Sequence, residues 1–432
     1  MPRHDDPAAP PPLDTGFARL TDSDPRDLDR HEAGNGLIHM VSLSLTKAGD
    51  SLIDPKLVLS WLLTVLGAPG MVIGALVPVR EAGALLPQLA LARQVERAAQ
   101  RKRIWAAGAV VQGVAALGIA AAVLMLEGAA AGWSVLALVA VLAVARSAAS
   151  VSYKDVLART IAKGRRGAVT GFAAAVASVA AFGFGLSMAL GLFDVAVPVL
   201  AGAVALAGVA FLLAGGLFLR LREPAHGDHS PQAEGIAALI RPLRADRQLQ
   251  VFVAARAALT VTALAPPFIV MLSSAGGEGA LDQLGPMVMA STAAAVLSSY
   301  VWGRLSDRSS RQTLVIAGGL AALVLLLTGL AGLLLGGLGG AWGAGLAIFA
   351  AQIAYEGVRQ GRKLHLTDMA EDDFRARYTA LSNTLIGAAL MAGGLFGLAA
   401  DYVGPAILLV VFAVISAIGA AIAARLDEVQ QD

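Results

Sequence analysis

The chain of 432 residues contains no cysteine. Disulfides, thiolate metal sites and cysteine nucleophiles are therefore excluded. Charge is scarce too: Asp, Glu, Lys and Arg make up 15% of the residues, against about 25% in ordinary globular proteins. No Gly-Lys dipeptide occurs, which removes the Walker-type phosphate loop. The six histidines (His4, His31, His39, His226, His229, His365) fall in tails, in loops or at a helix start. No His/Asp/Glu group has metal-ligand spacing, so no metal or other cofactor is implied. A net charge of +2 is too small to suggest nucleic acid. The first twelve positions hold five prolines. They offer neither the basic start nor the apolar run of a signal peptide, and residues 1–35 read as a disordered cytoplasmic tail.

What is abundant is apolar surface. Hydrophobic residues are 57% of the chain, more than soluble cores of this size can hide, so the solvent is lipid. Uncharged runs long enough to span a bilayer occur at 104–126, 128–145, 167–193, 195–219, 283–303, 378–400 and 402–424. The run 312–355 is too long for one crossing, and the glycines of 335–345 split it into two. Residues 249–274 form a span interrupted by Arg256. Residues 36–90 must hold two more, expected at about 36–55 and 66–90, with Asp54-Pro55 starting the connection. An alternative places one helix over 57–79 and leaves 36–50 on the surface, giving eleven crossings. Basic residues decide between them: with twelve crossings, 28 of the 33 Lys and Arg fall in the tails and one set of loops. Lys56 is then the lone base of the opposite loops. This positive-inside pattern puts both termini in the cytoplasm of a plasma membrane, and the composition suggests a bacterial inner membrane. The five tryptophans fall near expected helix ends, where indole favours the interface.

The chain also repeats itself. Arg93, Glu96 and Arg97 match Arg304, Asp307 and Arg308 at an offset of 211, and Arg146 matches Glu356 at 210. Lys47 matches Arg256 at 209, as Lys154, Arg166 and Thr170 match Lys363, Arg375 and Thr379. The expected architecture is all-α, with twelve transmembrane helices in two pseudo-symmetric six-helix bundles. They occupy residues 36–220 and 248–425, with a linker at 221–247 and a C-terminal tail at 426–432. Parallel repeats of this kind place a binding site near mid-membrane between the halves.

The stretch Gly303, Arg304, Leu305, Ser306, Asp307, Arg308, with Arg311 close behind, resembles the loop signature between the second and third helices of each half in major facilitator superfamily transporters. Ser310 and Gln312 depart from that pattern, and in the first-half copy Ala92 and Glu96 replace its glycine and aspartate. The resemblance implies that Asp307 pairs with Arg304, Arg308 and Arg375 to hold the cytoplasmic side closed.

Ionisable residues inside the spans point to the site. A charge at mid-helix costs about 2.5–3.5 kcal/mol on insertion scales. Lys47 and Asp50 share one face of the first helix, and Arg80 and Glu81 sit at similar depth in the second, so a cross pair, Lys47–Glu81 or Asp50–Arg80, is expected. Arg146, Arg256, Gln352 and Glu356 complete the candidate substrate and proton-coupling set, although Arg146 and Arg256 have the reach to snorkel to headgroups. Such a cavity suits an anionic or zwitterionic small-molecule substrate, with Asp50, Glu81 and Glu356 as proton carriers. Glycines four apart, Gly332/Gly336 and Gly393/Gly397, fit close helix packing. The resulting expectation is a proton-coupled secondary transporter working by alternating access, with no enzyme constellation. A non-transporting assembly factor or sensor on the same fold, or a lipid flippase, is the alternative.

Overall fold

A computed structural model describes residues 12–88, 91, 98–192, 195–224, 243, 246–274, 284–369 and 372–430. Among these residues every regular element is helical. A short α1 (Pro12–Thr21) precedes α2 (Glu32–Leu52), α3 (Val58–Val65) and α4 (Gly70–Leu85). Then come α5 (Arg101–Met125), α6 (Gly128–Thr160), α7 (Arg166–Ala189) and α8 (Val197–Phe218). The second part of the chain supplies α9 (Arg247–Leu259), α10 (Val261–Ser274), α11 (Leu284–Arg308), α12 (Ser310–Leu335) and α13 (Ala341–Met369). It closes with α14 (Asp372–Gly393), α15 (Leu395–Val403) and α16 (Pro405–Ala423). The expected linker falls mostly outside the described residues.

Local chemistry sets the helix boundaries. The Asp246 carboxylate accepts the N–H groups of Gln248 and Leu249 to start α9, and Ser309 caps α12 through the Gln312 N–H. The glycine run after Leu335 turns the chain as the composition predicts: Gly336, Gly339 and Gly340 all have positive φ. Gly336 is therefore a helix cap and not the packing residue its spacing suggested.

Polar contacts between turns establish two ends. Glu32 pairs with Arg165 at 2.8 Å, Asn35 exchanges hydrogen bonds with the Arg222 backbone at 2.9 and 3.1 Å, and Lys102 donates to the Leu221 carbonyl at 2.7 Å. Ser309 donates to Glu428 at 2.6 Å. These ties mark one end, called the terminal end because it holds Glu32 and Glu428, close to the first and last described residues. At the other, the distal end, the Gly128 N–H donates to the Leu66 carbonyl at 2.7 Å. Asp401 accepts the N–H groups of Gly70 and Met71 at 2.8 and 2.9 Å. Among the described residues, the connections at the distal end contain neither Lys nor Arg.

Three expectations change. Residues 12–31, read as tail, carry α1, whose Phe17 is buried against α2; a Cβ on Gly36 would strike that ring. The first crossing does not end near Asp54: α2 breaks over Ile53–Leu57 and resumes as α3, so the turn to α4 lies at Leu66–Pro69. Lys56 is accordingly inside the first crossing and not in a distal loop. Finally, Trp133 and Trp342 are exposed as interfacial indoles should be, but Trp61, Trp105 and Trp302 are buried. Trp302 spends its N–H on the Ile353 carbonyl at 2.9 Å.

Nine helices among the described residues are long and apolar enough to span a bilayer. The first, second and tenth expected crossings are not in that set. The first is broken, the second (α4) has only 16 residues, and α13 carries Gln352, Tyr355 and Glu356. All three line or back the central cavity, where polarity replaces apolar surface.

The apolar packing is asymmetric. One cluster near the distal end includes Trp61, Val72, Met188, Phe268, Met287 and Phe412, and so joins both parts of the chain. Terminal-end clusters stay separate: Phe252, Trp302 and Leu381 belong to the second part, Trp105, Val156 and Phe218 to the first. Helices α4 with α14 and α15, α7 with α11, and α3 with α10 make the cross contacts. The bundle is thus sealed distally and parted toward its terminal end.

Candidate functional site

The break in the first crossing creates the site. Pro55 has no N–H to give and its ring clashes with a preceding helical turn, so α2 stops before it. The loosened chain is held locally: the Leu59 N–H reaches the Asp54 carbonyl at 3.0 Å and Ser60 Oγ reaches the Pro55 carbonyl at 2.6 Å. Asp54 and Lys56 are thereby presented midway along the first crossing, on unwound backbone lining a cavity, the setting in which irregular backbone is tolerated inside a membrane protein.

That cavity, of about 480 Å³, lies between the first and second parts of the chain. Lys47, Asp50, Asp54 and Lys56 line it from the first crossing, Arg146 from α6, and Gln352, Tyr355, Glu356 and Arg359 from α13. Small residues of α7 and α11, among them Ala174, Ser178 and Thr292, form its side walls.

Asp50 is the hub. Arg80 Nη2, from α4, donates to Oδ1 at 2.8 Å, and Arg146 Nη1, from α6, pairs with Oδ2. The expected Asp50–Arg80 pair is therefore formed, and Arg146 turns inward where snorkelling had been the alternative. Two guanidinium groups on one carboxylate leave an excess of positive charge. Lys47, on the same helix, adds to it: no acid lies within bridging distance of its ammonium among the described residues. Glu81 interacts electrostatically with Lys56, Arg80 and Arg146. On the facing helix, Glu356 is 2% exposed, accepts from Gln352 at 3.0 Å and pairs with Arg359 at 2.6 Å. Lys56 bridges the two parts, its Nζ 3.6 Å above the Tyr355 ring centroid, a contact worth about 1–2 kcal/mol when shielded from water.

The remaining candidates lie elsewhere. Arg256 lines no part of this cavity; its guanidinium donates to Ser382 at 2.6 Å and Asn383 at 3.0 Å on α14. The loop-signature residues Arg93, Glu96 and Arg97 lie outside the described residues, as does the side chain of Arg375. Asp307 is exposed and makes no ion pair among the described residues. Arg304 donates instead to the Tyr300 hydroxyl at 2.8 Å, Arg308 is exposed, and a Cβ on Gly303 would meet nothing within 4 Å. What ties this corner together is Arg311, 3.4 Å from Glu428, and Ser310, whose hydroxyl is 3.0 Å from Gln430 and 2.8 Å from His365. His365 is also not a loop residue but is buried inside α13; His39, in the first crossing as expected, is buried and bonded to Thr160 at 2.8 Å.

Sequence reading missed Asp54, Lys56 and Arg359 as cavity residues, having assigned the last two to loops. The signal was present in Asp54-Pro55, a helix break inside a stretch that otherwise continues apolar to Leu66.

A family model described as Major Facilitator Superfamily matches residues 40–358. Similar solved structures include the nucleoside transporter NupG, as a point mutant, with a TM-score of 0.69 at 12% identity, covering 90% of this chain and 98% of that one. A POT family transporter in complex with 5-aminolevulinic acid aligns with a TM-score of 0.66 at 12% identity, covering 91% and 95%. No curated protein sequence matches.

Proposed function

The chain belongs to the Major Facilitator Superfamily, a transporter and not an enzyme, and from that premise we propose that it carries a small anionic or zwitterionic solute by alternating access, coupled to protons through Asp50. The single observation carrying this reading is the Arg80–Asp50–Arg146 cluster at the wall of a cavity that is sealed distally and parted toward the terminal end. Four bases and three acids line that cavity, so an anionic group on the solute balances it. A carboxylate held by two guanidinium groups on different helices gains or loses partners whenever those helices shift, which ties its charge state to the rocking of the bundles. Glu356 and Glu81 are the further candidate carriers. A pure scaffold gains nothing from charges placed around such a chamber, which favours transport over the assembly-factor or sensor reading.

The two sets of helices, before and after the linker, act in this reading as six-helix bundles rocking about the cavity. The basic residues gathered at the terminal end support a cytoplasmic location for that end, in accord with a plasma-membrane carrier.

The test is uptake of a library of anionic, zwitterionic and cationic solutes into proteoliposomes, with and without a pH gradient. Gradient-stimulated uptake of an anion or zwitterion is expected, reduced at least tenfold in Asp50→Asn. Strict preference for organic cations, or uptake indifferent both to the gradient and to Asp50→Asn, would refute the proposal.

A further inference from the structure

A second cavity, of about 210 Å³, opens inside the first part of the chain, enclosed by α2, α5, α6 and α8. It meets the central cavity at Lys47, Asp50 and Arg146, which line both. Its other charged residue is Lys154, and Thr46, Gln112 and Ser150 add polar groups beside Trp105, Tyr153 and Phe211. Three bases thus face one acid, and both carboxylate oxygens of that acid, Asp50, are already engaged by Arg80 and Arg146. The surplus rests on Lys154, which is exposed, and on the half-buried Lys47.

The internal repeat accounts for Lys47 having no ion-pair partner among the described residues. Its counterpart 209 residues on, Arg256, is held by Ser382 and Asn383. The positions 209 before those two are Ala173 and Ala174, which have no polar group to offer. The second half therefore satisfies its cation internally, whereas the first half leaves the equivalent cation to a ligand. We infer that the side cavity is a small-anion subsite, with Lys47 holding a carboxylate or halide-sized anion against Gln112 and the aromatic wall. At about 30 Å³ per water-sized group, the volume admits roughly seven heavy atoms, enough for a carboxylate with a short apolar tail. This deepens the proposed function by placing the solute's anionic group at Lys47, where the side cavity meets the central one.

Trp105 lines the subsite and serves as its reporter. Sodium acetate and sodium iodide are titrated separately into the purified full-length chain in detergent, with tryptophan fluorescence as the readout. A saturable response is expected, lost in Trp105→Phe and shifted at least tenfold to higher concentration in both Lys47→Gln and Ala174→Asp, the latter giving Lys47 an acid of its own. Acetate competing with iodide identifies the carboxylate of the solute as the natural occupant; saturation by iodide alone identifies a free halide. Should Trp105→Phe not fold, anion-dependent thermal stabilisation of the wild type, absent in Lys47→Gln, is the second measurement. A linear, non-saturating response, or an affinity unchanged in both Lys47→Gln and Ala174→Asp, overturns the inference. Because binding is read without a gradient, its failure is separate from failure of coupling at Asp50.

Discussion

At the level of single residues, Asp50 shows how expensive groups are made tolerable. A lone carboxylate at lipid depth costs several kcal/mol, and so does each lone guanidinium. Bringing Arg80 and Arg146 onto one aspartate offsets much of that cost but leaves each partner dependent on the others. Asp50→Ala is therefore expected to lose about 3 kcal/mol of stability, because two cations are left without their acid. The double variant Asp50→Ala with Arg146→Ala should recover part of that loss, and unfolding of the double and of both single variants in detergent measures the coupling. His365 offers a pH test outside the membrane core, beyond Arg359, Arg362 and Lys363. Burial lowers its pKa from 6.5 to about 4, against the opposing pull of Glu428, Asp368 and Asp427, while Arg311 reinforces the fall. Between those two values the unfolded chain binds more protons than the folded one, so stability is full above pH 6.5 and falls as pH drops toward 4. Thermal unfolding should occur at lower temperature at pH 5 than at pH 7, with a smaller difference in His365→Gln.

At the level of elements, the distal seal is a helix terminus capped from another helix. The Asp401 carboxylate on α15 accepts the first free N–H groups of α4, which satisfies orphan donors and meets the positive end of the helix dipole. Close approach makes the cap possible: a Cβ on Gly74 would collide with the Gly397 backbone, so the two helices pack where only glycine fits. Removing the cap in Asp401→Ala should weaken closure by about 1–2 kcal/mol. Because the native chain has no cysteine, a single reporter at Ser273→Cys, buried near the distal end of α10, reads that closure cleanly. Its labelling by a membrane-impermeant maleimide should rise about tenfold in the Asp401→Ala background; an unchanged rate would show that the cap does not hold the seal. This seal lies at the opposite end from the loop signature, whose Asp307 is exposed in the same structure.

At the level of the whole molecule, one apolar cluster shared near the distal end and separate clusters at the terminal end describe a carrier parted toward the side that holds its termini. The family and the alignment to solved transporters fit that architecture. Much of it was legible beforehand. Apolar runs located most of the crossings because a span must be long and uncharged, and the basic residues told one end from the other. The glycine turn at 335–345 was read correctly for the same kind of local reason. The first crossing was misread because Asp54 and Lys56 look like loop residues until it is known that they face a polar chamber.

The solvent, the helical class, the approximate spans and the list of charges too costly to place in lipid are all written in the order of residues, since each follows from local composition and the length of a bilayer. How those charges are shared emerges from packing between distant helices. Asp50 collects arginines from α4 and α6, far apart in the chain, Arg256 is satisfied by α14, and Lys47 is left facing two cavities. Which cation finds a partner depends on the side chains that packing sets beside it, serine and asparagine in one half and alanine in the other, and no local pattern encodes that neighbourhood.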